Sequence, residues 1–199
     1  MFSIGIFVFN DVEVLDFAGP YEVFTTASRV HARQTTAQTP LFQVHCIAQT
    51  IEPIKARAGL VMLPDTMTSQ TPPLDLLIIP GGVVTQEFNN QSTIEWIKKM
   101  STTVPIVASV CTGAFLLAQA GLLYNKRVTT HWEDCRELQT MFPQLIVDGS
   151  QRWIDHGHIV TSAGISAGID MSLHLVERLV HRELAVQTAR QMQYDNANF

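Results

Sequence analysis

Short runs of apolar and β-branched residues alternate along the chain with longer segments whose apolar positions recur at helical spacing, the pattern of an α/β sheet with parallel strands. IGIFVF (residues 4–9) predicts the opening strand, and GPYEVFTTASRVH (19–31) a helix with Pro20 in its first turn, where a missing N–H costs little. FQVHCIA (42–48) predicts a second strand, and residues 51–65 a hairpin or edge excursion. PLDLLIIPGG (73–82) is an apolar run closed by two glycines, and the helical STIEWIKKM (92–100) follows it, with Ser92 and Glu95 at capping-box spacing. VPIVASV (104–110) running into CTGAFLLAQAGLL (111–123) repeats strand, turn and helix, with Gly121 as the stop. RVTTHW (127–132) predicts a short strand into a turn, EDCRELQTMF (133–142) a helix, and RWIDHGHIVTSAG (152–164) two short strands around His156 and Gly157. A last long helix from about Ser166 would bury Ile169, Leu173, Val176 and Val180. The expected fold class is α/β, a mostly parallel central sheet with helices on both faces, as a single domain over residues 1–199.

Composition narrows the function. With 46% hydrophobic and 16% charged residues, 199 residues bury one substantial core. A net charge of -5 and a pI near 5.7 lack the basic footprint of a nucleic-acid binder and point to small-molecule ligands. Three cysteines are too few and odd in number for a disulfide framework, and the N-terminus meets acidic residues without a positive region. A reducing, cytoplasmic setting is therefore expected. Residues 100–125 carry no charge over a length that could cross a bilayer, but Pro105, Ser109, Thr112, Gly113, Gln119 and Gly121 interrupt them. A buried strand turning into a buried helix fits better, and no membrane partner is expected.

Ligands of open parallel sheets bind beyond the carboxyl ends of the strands. Asp16, Gly81 with Gly82, Cys111 and His131 each follow a predicted strand, so residues far apart in the chain would share one rim. SVCTG (109–113) has the small-x-nucleophile-x-small spacing of a nucleophile elbow, and a thiol at the start of a helix would have a lowered pKa. The same residues also fit a small buried cysteine. Gly82 and Thr112 are candidate N–H donors to developing negative charge, although Gly81 and Gly82 equally suit a plain βα turn. Asp16, between Leu15 and Phe17, is placed for a raised carboxyl pKa and proton transfer, or else for a helix cap. Glu13 and Glu22 read as solvated charges, Cys46 as strand core and Cys135 as a partly buried helix residue. His131 and Cys135 lie one helical turn apart, but two ligands do not make a metal site, and no nucleotide-binding glycine motif occurs. Neither metal nor cofactor is expected.

LDFAGPYEVF, LDLLIIPGG, ASVCTGAFLLAQAGLL, RVTTHW and TSAGISAGIDMSLHLVERL occur in an order and spacing that resembles the ThiJ/PfpI superfamily, related in fold to class I glutamine amidotransferases. The resemblance implies a flavodoxin-like sandwich, usually dimeric, with Cys111 as nucleophile. It is nearest to two branches, isocyanide hydratases and the ligand-sensing domains of AraC-type regulators. Asp16 matches the aspartate that replaces a more widespread glutamate in the hydratase branch. Thr112 stands where protease-like relatives have histidine, which speaks against a protease, and His131 matches a histidine of varying duty. The regulators continue into a helix-turn-helix domain, whereas this sequence ends at Phe199, and ARQMQYDNANF resembles the tail of stand-alone hydratases, short enough to be partly disordered or to pack on a dimer partner. The expected activity is a cofactor-independent lyase adding water to an isocyanide to give an N-substituted formamide. Cys111, Asp16 and Thr112 would be catalytic, with Gly81, Gly82 and His131 at the substrate. The alternatives are a glyoxalase-like or other hydrolase, and a non-catalytic metabolite or redox sensor.

Overall fold

A computed structural model describes residues 1–35 and 38–195. The chain opens with β1 (Phe2–Phe7), α1 (Val14–Thr35) and β2 (Phe42–Ala48). Next comes the excursion, an antiparallel pair of β3 (Ile54–Lys55) and β4 (Val61–Met62), before β5 (Thr66–Met67) returns to the sheet edge. β6 (Leu76–Ile79), α2 (Thr85–Asn89), α3 (Gln91–Met100), β7 (Ile106–Val110) and α4 (Gly113–Gln119) form the centre. β8 (Arg127–Val128), α5 (Cys135–Met141) and β9 (Ile146–Val147) make a side layer, and β10 (Trp153–Asp155), β11 (Ile159–Ser162), α6 (Ala167–Leu179) and α7 (Arg182–Gln191) close the chain.

The main sheet has the order β10-β11-β7-β6-β1-β2-β5, parallel except where β10 pairs antiparallel with β11 across Gly157, whose φ is +80°. β6 and β7 are buried along their whole length, as expected of central parallel strands with unbroken apolar runs. α1, α6 and α7 pack together as one helical layer, and α2, α3 and α4 as another. No helix among the described residues is long and apolar enough to cross a membrane. The uncharged stretch 100–125 holds β7 and α4.

Four local readings need correction. The first helix starts at Val14, so Pro20 lies inside it and offers no N–H to the carbonyl of Asp16 one turn earlier. Asn90 caps α3, its side chain accepting the Ser92 N–H at 3.1 Å, so the Ser92–Glu95 box is not the cap. The helix after Cys111 spans only Gly113–Gln119, though Gly121 does terminate it at φ +78°. The last helix breaks at Val180, and α7 restarts behind a His181 cap whose Nδ1 accepts the Leu184 N–H. Beyond α7, Met192 and Tyr194 pack against this chain's own core. The remainder of the predicted tail, residues 196–199, lies outside the described residues.

Candidate active site

Cys111 occupies the step from β7 into α4 with φ +56°, a left-handed conformation that is uncommon outside glycine. The turn is tight because Gly113 approaches the preceding β6 loop. A methyl group there would collide with the Ile79 carbonyl oxygen and lie 2.9 Å from that of Pro80. The strained residue is held on both sides. Its N–H is shared between the Ser162 and Ala163 carbonyls at 3.2 Å, and its own carbonyl accepts the Thr130 hydroxyl at 2.8 Å. The side chain is 6% exposed, yet it lines a cleft of about 580 Å³.

Asp16 stands in the first turn of α1 with no exposed surface. Its Oδ2 accepts the Gly81 N–H at 3.0 Å, while Oδ1 is buried without a hydrogen-bond partner among the described residues. Burial pushes the carboxyl up to about 7; Gly81, the Cys111 thiol and the Ile165 N–H oppose the rise and Glu13 adds to it. The thiol moves in the direction opposite to the sequence expectation. Burial, and then the Asp16 carboxylate, push Cys111 up to about 12, against weaker support from the Thr112 and Ile165 N–H groups. A buried thiol beside a carboxylate loses more from desolvation and like charge than a one-turn helix start can return. The second of those causes vanishes if Asp16 takes the proton, so the two groups act as a coupled pair.

Thr112 and the glycines serve each other. Thr112 Oγ1 accepts the Gly82 N–H and donates to the Gly82 carbonyl, both at 2.9 Å. The Gly82 N–H is therefore engaged within the loop, and the Thr112 hydroxyl is directed there and not at Asp16 or the thiol. What Thr112 turns toward Cys111 is its backbone N–H. Gly81 has to be glycine, since a Cβ would sit 2.6 Å from the Thr112 nitrogen and 2.9 Å from Asp16 Oδ2. Gly82 has φ +132°.

His131 reaches the cleft wall, packed against Gly164, with its Nδ1 3.3 Å from Asp134 Oδ2 and accepting the Glu133 N–H. Cys135 gives its thiol hydrogen to the His131 carbonyl at 3.4 Å, so the pair does not converge on a metal. Among the described residues no group of three or more His, Cys, Asp or Glu side chains could hold a metal ion. Cys46 is buried in β2 and is pushed up to about 12 by that burial and by Asp65. Glu22 is a surface charge paired with Arg29, as read from sequence. Glu13 is not: it lines the cleft, pairs with Arg57 at 3.3 Å and raises Asp16. Arg57 and Ile165 were not candidates. Arg57 comes from the excursion, and Ile165 sits in a loop whose φ of +49° has no signal in GIS.

The raised Asp16 makes stability depend on pH. Its folded pKa lies above the unfolded value, so the buried charge costs nothing below about pH 4 and its penalty grows between about pH 4 and 7, reaching about 4 kcal/mol. Asp16→Asn keeps an acceptor for the Gly81 N–H and removes that charge. The variant is expected to raise the melting temperature near pH 8 and to leave it almost unchanged near pH 4, as thermal unfolding at the two pH values will show.

A buried cysteine on a strained strand-to-helix turn, with a buried carboxyl against it at the carboxyl edge of a parallel sheet, defines the class, and the sequence profile of the DJ-1/PfpI family matches residues 2–178; the chain belongs to that family. Among its relatives is the isonitrile hydratase of Pseudomonas putida, 34% identical over 193 residues that make up 96% of this chain and 78% of that protein. The HTH-type transcriptional regulator GbdR of Pseudomonas aeruginosa is 28% identical over 97% of this chain, which spans about half (51%) of the regulator. A ThiJ/PfpI family protein from Pseudomonas syringae superposes with a TM-score of 0.85 at 24% identity, over 100% of this chain and 79% of that one. Drosophila melanogaster DJ-1beta superposes with 0.81 at 17% identity, over 96% and 97%.

Proposed function

We propose that this protein hydrates an isocyanide to an N-substituted formamide, with Cys111 as nucleophile and Asp16 as proton carrier. The observation that carries the reading is the buried Asp16 carboxyl, raised to about 7, against the Cys111 thiol on its strained turn. The 34% identity to an isonitrile hydratase supports this substrate class. Asp16 takes the thiol proton, and the sulfur bonds to the terminal isocyanide carbon. Asp16 returns the proton to that carbon, leaving a thioimidate on Cys111. Asp16 then removes a proton from water, whose oxygen adds to the same carbon, and delivers that proton to nitrogen. Loss of the hydroxyl proton and cleavage of the C–S bond release the formamide and restore the thiol. Covalent catalysis divides one difficult addition into two easier steps. The backbone N–H of Thr112 supports charge at sulfur, in keeping with its reading as an N–H donor. His131 and the Gly81–Gly82 loop shape the substrate side of the cleft. A cytoplasmic homodimer acting on a small molecule, without nucleic acid, membrane or cofactor, belongs to the same proposal.

Formamide release from an aryl isocyanide by the reduced protein tests it. Because Asp16 must be ionised to accept the thiol proton, kcat/KM is expected to rise with pH through about 7 and then level off. A flat profile, or no turnover, would reject the mechanism.

The regulators that contain a domain of this kind favour a second reading, in which the cleft binds a small metabolite or Cys111 is oxidised as a signal, without turnover. The reduced protein would then lack activity toward any isocyanide while still binding in the cleft.

A further inference from the structure

One polar cluster lies outside the mechanism. Asp170 on α6 is wholly buried, and both its oxygens are used: Oδ2 accepts Arg152 Nε, and Oδ1 accepts the Tyr194 hydroxyl at 2.8 Å. The same guanidinium donates through Nη2 to Ser166 Oγ at 3.3 Å, and the Arg152 carbonyl accepts the Ala163 N–H at 2.8 Å. Arg152 therefore grips residues 163–166 from both ends. Between those grips, Gly164 packs on His131, and Ile165 holds a left-handed φ of +49°, an unfavourable conformation for a β-branched residue. The Ser162 and Ala163 carbonyls at the head of this loop hold the Cys111 N–H, and Ile165 lines the cleft beside the thiol.

Asp170 is wholly buried while 39% of the Arg152 side chain stays exposed, and at a buried position apolar residues of similar volume commonly stabilise as well as such a half-buried ion pair, or better. Here it does something packing cannot, bridging α6 and the end of the chain to a strained loop. We propose that Arg152, Asp170 and Tyr194 form a positioning clamp that keeps the Ile165 N–H against the Cys111–Asp16 pair and so tunes the reactivity of the thiol from outside the cleft. The proposal rests on Cys111 and Asp16 being the reactive pair and not on the identity of the substrate. Its readout is accordingly thiol chemistry, which remains measurable if isocyanide turnover is absent.

The test is alkylation of the full chain by iodoacetamide near pH 8, with the Cys111 peptide followed by mass so that Cys46 and Cys135 do not interfere. An N–H withdrawn from the sulfur disfavours the thiolate, so Arg152→Gln is expected to slow Cys111 alkylation about tenfold, equivalent to about one pKa unit. Arg152→Lys, which keeps the charge but cannot bridge Asp170 and Ser166 together, is expected to fall between the two. Tyr194→Phe removes one hydroxyl from Asp170 and is expected to slow alkylation less, in the same direction; it decides the matter if Arg152→Gln does not fold. Leu184→Ala, a buried truncation on α7, should lower the melting temperature without changing the alkylation rate. An unchanged or faster rate in folded Arg152→Gln or Tyr194→Phe overturns the proposal and leaves the cluster a purely structural one.

Discussion

Cys111→Ala is expected to lose about three orders of magnitude of formamide-forming turnover, or more, while folding like the parent. The two halves of that expectation have separate causes. Turnover goes because no other thiol can substitute: Cys46 is buried in β2, and the Cys135 thiol is bonded to the His131 carbonyl. The fold stays because alanine keeps the Cβ, the shared N–H bonds to Ser162 and Ala163 and the carbonyl bond from Thr130. Cys111→Ser should be almost as inactive, since a hydroxyl beside Asp16 is a far weaker nucleophile than a thiolate. Initial rates, circular dichroism and melting curves on the same preparations check both halves. Full activity in the alanine variant would remove Cys111 from the chemistry.

The second large effect concerns stability. Gly113→Ala puts a methyl group into the Ile79 carbonyl and close to that of Pro80, both backbone atoms of the β6 loop that carries Gly81 and Gly82. Helix propensity alone favours alanine by about 1 kcal/mol at a helical position. The collision outweighs it, because neither the central strand nor the loop can move without disturbing the bonds to Asp16 and Thr112. A net loss of about 3 kcal/mol is expected, which lowers the melting temperature by about 10 °C in a domain of this size. Gly121→Ala is the internal comparison. Its Cβ meets nothing within 4 Å, so only the left-handed φ of +78° resists, at a cost of about 1 kcal/mol. If the two variants melt together, steric closure of the turn is not what makes Gly113 necessary.

Much of the fold was legible because its signals are local. Alternation of apolar runs with helical segments placed β6, β7 and the helices after them, and the Gly157 turn between β10 and β11 was visible in DHGH. The topological rule that gathers strand ends brought Asp16, Gly81, Cys111 and His131 to one region, and the structure places all four around the Cys111 turn or its cleft. The direction of the thiol pKa was not legible, because it depends on burial and on a carboxyl that arrives from a residue 95 positions away, as the distance from Asp16 to Cys111 in the sequence shows. The use of the Thr112 hydroxyl on Gly82 was hidden for the same reason. Glu13 was read as solvated because nothing near it in sequence pairs with it; its partner in space is Arg57 on the excursion, 44 positions away. The break at Val180 left no Pro or Gly to mark it, and α7 followed unseen.

The strand order also bears on how the chain is made. β1 ends up between β2 and β6, but it leaves the ribosome before either, and its partner Leu76–Ile79 follows only after the whole excursion has been synthesised. Until then an apolar strand has an open edge, the condition in which growing chains pair wrongly with one another. The parallel pairing of β6, β7 and β11 closes still later. Asp16 is thus among the first site residues made, well before Gly81, Cys111 and Ile165, the groups that surround it in the folded protein. The acid that the finished protein carries near neutrality exists only as a product of completed folding, and a truncated chain would have the residue without its chemistry.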